Sequence, residues 1–218
     1  MFLGHFAVAM AAKKAAPRPS LGTLVMAALF ADGLWPVFLL LGWEEVKIAP
    51  GITAVTPLDF VSYPWSHSMA FDLIWAALFA AVYFLMRRDG RGAAWLALLV
   101  LSHWVLDWVA HRPDMPLWPG SSRLGLGLWY SLPATLVVEL AMFALGIWIY
   151  ASITRARDRV GVYSLWGFIV LLAILYFAAV FGPPPPSVTA LAISALAGWL
   201  FVAWCYWIDR HREAVPLS

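Results

Sequence analysis

Six stretches of this chain stay apolar for long enough to cross about 30 Å of hydrocarbon as helices. They run from Leu21–Trp43, His67–Met86, Ala93–His111, Leu126–Tyr150, Val162–Phe181 and Val188–Ile208, with polar residues gathered into short connections between them. The pattern predicts an all-α, polytopic membrane helix bundle of about six transmembrane helices, forming one domain over residues 1–218. Residues 1–12, MFLGHFAVAMAA, are apolar but too short to span. No basic residue precedes this run, and Lys13 and Lys14 follow it, the reverse of a secretory signal peptide. Two placements compete for it: an amphipathic helix on the membrane surface, or a short N-terminal half-helix inside the protein that emerges at Lys13. The apolar content, with His5 as the only ionisable side chain, favours the half-helix.

Composition agrees. The chain is 63% hydrophobic and 12% charged, about half the charge of a soluble domain. Its 14 tryptophans suit a membrane interface. The net charge of +2 comes from short basic clusters and gives no nucleic-acid surface. Cys205, the single cysteine, reads as inert packing. The basic residues sort by side. Lys13, Lys14 and Arg18 precede the first span, Arg87, Arg88 and Arg91 join the second to the third, and Arg155, Arg157 and Arg159 join the fourth to the fifth. By the positive-inside rule both termini are then cytoplasmic. No Walker, GxGxxG, GxSxG or HExxH motif is present, and no convincing internal repeat.

Against this background Leu101–Gly120, LSHWVLDWVAHRPDMPLWPG, stands out. His103, Asp107 and His111 are four residues apart, so on a helix they advance only about 40° each and form one stripe. Imidazoles and a carboxylate on one face are natural ligands for a divalent metal, and burying them without metal, partner or water is costly. A polar stripe that glues helices or lines a wet cavity is the plainer alternative. Rise per residue puts Asp32 and His103 at roughly 16 Å from the cytoplasmic end and His5 at about 12 Å. Asp107 and His111 stand one and two turns higher, and His67 opens the second span near His111. The ionisable groups are thus expected as a column from mid-membrane to the outer face. Glu139, mid-way along the fourth span without a basic neighbour, is a candidate general base or a structural hydrogen-bonding group. Asp59 is a candidate base, ligand, histidine partner or plain turn residue. Asp72 is about 140° off the face of His67 and reaches a neighbouring helix or the interface.

The ordered set His5, Asp32-Gly33, Ser66-His67-Ser68, Ser102-His103 and Leu106-Asp107 resembles the bacterial inner-membrane proteins known as metal-dependent hydrolases of the YdjM type, over about residues 1–120. The chain departs from that pattern in its acidic segment, which reads FADGLWP and lacks a preceding proline and a second aspartate. The resemblance implies a multi-pass protein of a bacterial inner (plasma) membrane with hydrolase chemistry. The leading expectation is a membrane-embedded hydrolase using one or two divalent ions, Zn²⁺ first among them. His67, His103, Asp107 and His111 would be ligands, His5 and Asp32 would complete the set, and the substrate would be a lipid or phosphoester. Arg112 and Arg123 either receive an anionic head group or snorkel at the interface. The rival expectations are a permease for a metal ion or small solute along the His/Asp column, and a structural protein pinned by its metal. The oligomeric state is not readable from the residues.

Overall fold

The computed structural model describes residues 1–215. The first helix, α1 (Phe2–Ala15), is the half-helix, and it is a core element. Leu3, Phe6, Ala9 and Met10 are buried against α2 (Leu21–Ala28) and later helices. α2 and α3 (Phe30–Leu40) together make the expected first span, but they meet at 54° near Leu29. Pro36 inside α3 has no N–H to offer the carbonyl of Asp32 one turn back.

A hairpin of β1 (Glu45–Ile48) and β2 (Leu58–Ser62) follows, where only a loop was expected. One turn, α4 (Pro64–His67), leads into α5 (Met69–Arg87) and then α6 (Gly90–Ala110). Past α6, β3 (Met115–Pro116) pairs with β4 (Arg123–Leu124), and a 3-10 turn at Leu128–Tyr130 leads into α7 (Leu132–Ile153). β5 (Thr154–Ala156) and α8 (Arg159–Phe181) come next, then α9 (Val188–Leu196) and α10 (Gly198–Arg210), which form the last span with a break at Ala197. β6 (Arg212–Ala214) closes the described chain by pairing with β5. Among the described residues, five helical segments, counting α9–α10 as one, are long and apolar enough to cross a membrane, and the bent α2–α3 pair makes a sixth. This is a multi-pass membrane protein with an all-α bundle.

Helix boundaries follow side-chain caps more closely than apolarity. Ser68, Asp89, Ser131, Asp158 and Ser187 each accept a backbone N–H at the start of α5, α6, α7, α8 and α9. The Ser68 cap leaves His67 outside the second span, on α4, and the Ser131 cap starts the fourth span six residues later than Leu126. α1 lies closest to α7, where Gly146 is required: a Cβ there would come within 2.6 Å of the Ala7 carbonyl oxygen. At the same end as Lys13, the buried Arg212 donates to Thr154 and to the Gly161 carbonyl and locks the β5–β6 ribbon. His211 pairs there with Asp158 at 2.7 Å.

Candidate metal centre

The hairpin end of the bundle gathers six ionisable side chains from four helices. His5 comes from α1, Asp32 from α3, His67 from α4, and His103 and Asp107 from α6, with His111 just past its last turn. They do not form an ascending column; they converge on Asp107. His103 Nε2 lies 3.2 Å from Asp107 Oδ2 and 3.3 Å from His67 Nε2. His5 Nε2 lies 3.1 Å from Asp107 Oδ1, with its ring stacked on that of His103 at 3.9 Å. Asp32 Oδ1 is 3.5 Å from His67 Nε2 and 3.7 Å from His103 Nε2. The Met1 backbone nitrogen also meets Asp107 Oδ1. Side chains on a helix lean over the preceding turn and toward their own face, which lets residues a turn apart share one point.

Two overlapping donor sets result among the described residues: His5, His103 and Asp107, and Asp32, His67 and His103. Their separations are informative. With metal–nitrogen bonds of about 2.0–2.1 Å, neighbouring donors in a tetrahedron are about 3.3 Å apart. The distances from His103 Nε2 to Asp107 and His67 fall at that edge length. His111 stands at the rim, its Nε2 3.8 Å from Asp107 Oδ2 and its ring flanked by Phe60 and Trp129.

The far side of each ring is equally specific. His103 Nδ1 is 2.8 Å from the Ala28 carbonyl oxygen, at the bend between α2 and α3. A carbonyl can only accept, so Nδ1 carries the proton and Nε2 presents its lone pair to the cluster. His67 Nδ1 is 2.6 Å from Ser66 Oγ, whose own hydroxyl donates to Glu44 Oε2 at 2.7 Å. The hydroxyl proton being spent on Glu44, Ser66 accepts from Nδ1. His111 Nδ1 is 3.0 Å from Asp114 Oδ1, which also accepts from the Tyr63 hydroxyl at 3.0 Å. Three imidazoles are therefore held in one tautomer with Nε2 aimed inward, the arrangement that metal-binding histidines adopt. His5 differs, as its buried Nδ1 has no hydrogen-bond partner among the described residues.

No family model, curated protein or solved structure matches this chain.

The remaining candidates have other partners. Glu139 Oε2 accepts from the Leu3 N–H at 2.7 Å, so this carboxylate caps the start of α1 and seats the turn that carries His5. Asp59 pairs with Arg112, which also donates to Asp114 Oδ2 at 3.0 Å. Arg123 donates to the Val61 carbonyl oxygen at 2.6 Å. Both arginines therefore brace the loops at the hairpin end. Asp72 is buried on α5, and neither carboxylate oxygen has a hydrogen-bond partner among the described residues.

Glu44, Asp114, Tyr63 and the Ala28 carbonyl were not visible as site residues in the sequence, and Ser66 stood there only as the neighbour of His67. Asp114 alone left a signal, standing three residues after His111. Two of them are tuned by their surroundings. Burial pushes the Glu44 carboxyl above its ordinary range, while His67 and the hydrogen bonds from Ser66 and Trp65 oppose that shift. Burial and the neighbouring Asp114 push the Tyr63 hydroxyl well up, so it remains a donor.

The cluster is sealed on most sides, since the side chains of His5, His67, His103, Asp107 and His111 are at most 4% exposed. Asp32, at 46%, is the exception. Asp32 lines a cavity of 390 Å³ between α1, α2–α3, α8 and the last span.

Proposed function

We propose that the chain is a membrane-embedded, metal-dependent hydrolase acting on a lipid or phosphoester. The observation that carries this reading is the set of three histidines whose Nδ1 atoms are anchored by protein acceptors while their Nε2 atoms face Asp107. Such outer partners fix a ligand's tautomer and raise its basicity, and a structural hydrogen-bond network has no need to leave three lone pairs pointing at a carboxylate. His103, Asp107, His67, His5 and Asp32 would hold one or two divalent ions, with Zn²⁺ favoured by the imidazole-rich set, and His111 would border them. Bound there, such an ion would acidify a water and polarise an acyl or phosphoryl oxygen.

The chain's own residues supply the rest. Asp32 is the only cluster carboxylate open to a cavity and is the one a substrate would meet. Glu139 positions His5 through the cap of α1, and the Asp59–Arg112–Asp114 chain of ion pairs holds His111. The residues that carry the resemblance to the YdjM-type hydrolases, His5, Asp32, His67, His103 and Asp107, are the ones whose donor atoms lie together, which supports the hydrolase reading and, with it, a bacterial inner-membrane setting; the basic clusters of the connecting segments support the arginine-rich end as cytoplasmic. The test is turnover of labelled phospholipids by purified protein loaded with Zn²⁺ or Mn²⁺. Release of a labelled product by the wild type, lost in Asp107→Asn, is expected; no turnover with either metal would overturn the reading.

One observation favours a permease instead. The α2–α3 span is broken beside the cluster, and discontinuous spans place transporter binding sites near the midplane. Metal uptake into proteoliposomes that disappears in Asp107→Asn, without lipid turnover, would select it.

A further inference from the structure

The cavity beside Asp32 differs in kind from the cluster. Its walls are mostly apolar, with Met26, Leu29, Leu175 and Leu191 among them; Asp32, Ser194 and the indole N–H groups of Trp35 and Trp199 are the polar side-chain groups among the described residues. Leu175, Ala179, Ser194 and Trp199 are exposed along its mouth. They are continuous with Ile174, Phe177, Ile193 and Leu200, which α8 and the last span turn outward into what is hydrocarbon in a membrane. Both broken spans border it, α2–α3 at Leu29 and α9–α10 beside Gly198. Gly33 lets them meet, since a Cβ there would lie 2.5 Å from the Trp199 ring. At its inner end Asp32 Oδ1 is 3.5 Å from His67 Nε2. The volume of 390 Å³ falls in the range of small-molecule sites, about 300–1,000 Å³.

We propose that this cavity is a lateral slot for one hydrocarbon chain of a membrane amphiphile, entered from the bilayer between α8 and α9 and ending with the amphiphile's polar linkage at Asp32. A water-soluble substrate would have no reason to approach through Leu175, Leu191 and Trp199. A freely diffusing ion would have to cross an apolar wall to reach the one carboxylate that is open. A lipid chain matches both ends of the slot, apolar along its length and polar where it stops. That the polar linkage is cleaved rests on the hydrolase reading; that a chain occupies the slot does not.

The test uses the full-length protein in bilayer nanodiscs containing phosphatidylglycerol with a diazirine mid-way along one acyl chain. Photolabelling is mapped by peptide mass spectrometry in the wild type and in Ala179→Trp and Ser194→Trp, which fill opposite walls from exposed positions and leave the donor set untouched. The expected result is labelling concentrated in residues 26–35 and 191–202 and lost in both variants. With two walls tested independently, failure of one variant to fold leaves the other decisive. Labelling no stronger than on the lipid-facing end of α5, labelling unchanged by the substitutions, or cross-linked dimers through this face, which would make a second copy the occupant, would each overturn the slot. Labelling without lipid turnover upholds the slot and fails the hydrolase. Turnover of short-chain esters with uniform labelling fails the slot and upholds the hydrolase.

Discussion

Helices α5 and α6 lie side by side, joined through Arg88 and Asp89, and differ little in length or apolarity: 19 and 21 residues, with mean hydropathy 2.0 and 1.6. Their places in the protein are opposite. Only 11% of the apolar window of α5 is buried, against 44% for α6. α5 shows Leu73, Ile74, Leu78, Val82 and Leu85 to the surroundings, whereas α6 buries His103 and Asp107 at the centre of the donor cluster. Hydropathy puts both helices in the bilayer because each satisfies its backbone internally. Which one faces inward is decided by polar side chains that lipid cannot solvate. The contrast is sharpest in the last two turns of α6, where a stripe of histidine and carboxylate needs an interior and the helix is turned to provide one.

The largest effect is expected at His103, the member shared by both donor sets. Loss of an outer partner alone typically weakens a metal site by about 10–100-fold. Removing a donor common to both sets should therefore weaken metal binding by more than about 100-fold and abolish turnover. Elemental mass spectrometry of purified His103→Ala beside wild type measures this directly. Full metal retention would mean that the inward face of α6 is held by hydrogen bonds alone, and the contrast with α5 would then be one of packing rather than chemistry.

A smaller effect separates two serines that look alike in sequence, since each directly precedes a histidine. Ser66 bridges His67 Nδ1 to Glu44, while Ser102 donates to the Leu99 carbonyl of its own helix at 2.7 Å. Ser66→Ala should weaken metal affinity by about 10–100-fold, read by chelator competition, and Ser102→Ala should leave it unchanged. Equal effects would show that adjacency to histidine, rather than the bridge to Glu44, is what matters.

The six candidate ligands were legible because ionisable residues are so rare in this chain that each one inside an apolar run demands a reason. The half-helix at residues 1–12 was legible for the same cause, through His5 and the lysines behind it. What the sequence did not disclose is set by tertiary structure. The column expected from rise per residue ignored the bend at Leu29, and it treated side chains as if they stayed level with their Cα atoms. The bend also frees the Ala28 carbonyl for His103, an acceptor that no residue type announces. Glu44 looked like an ordinary loop charge because its partners, Ser66 and Trp65, reach it only through the fold of α4. Glu139 read as either a base or a structural hydrogen-bonding group, and its carboxylate is occupied by the first turn of α1.

The smallest effects test the outward face of α5 itself. Ala76 and Leu78 are two residues apart and so about 200° apart around the helix. Ala76 is 3% exposed and packs into the core, while Leu78 is 52% exposed. Enlarging the inner position, Ala76→Leu, forces extra methylenes into a packed interface and should cost about 1–3 kcal/mol. Truncating the outer one, Leu78→Ala, should change stability by less than about 0.5 kcal/mol, because lipid tails are as apolar as the leucine they replace as neighbours. A buried leucine trimmed in the same way would cost about 2–5 kcal/mol. Denaturation of both variants under one set of bilayer conditions reads the two values side by side. A loss of that larger size at Leu78 would place another protein surface against α5, a second copy of the chain being the simplest, and the helix that hydropathy alone assigns to lipid would prove to be an interface.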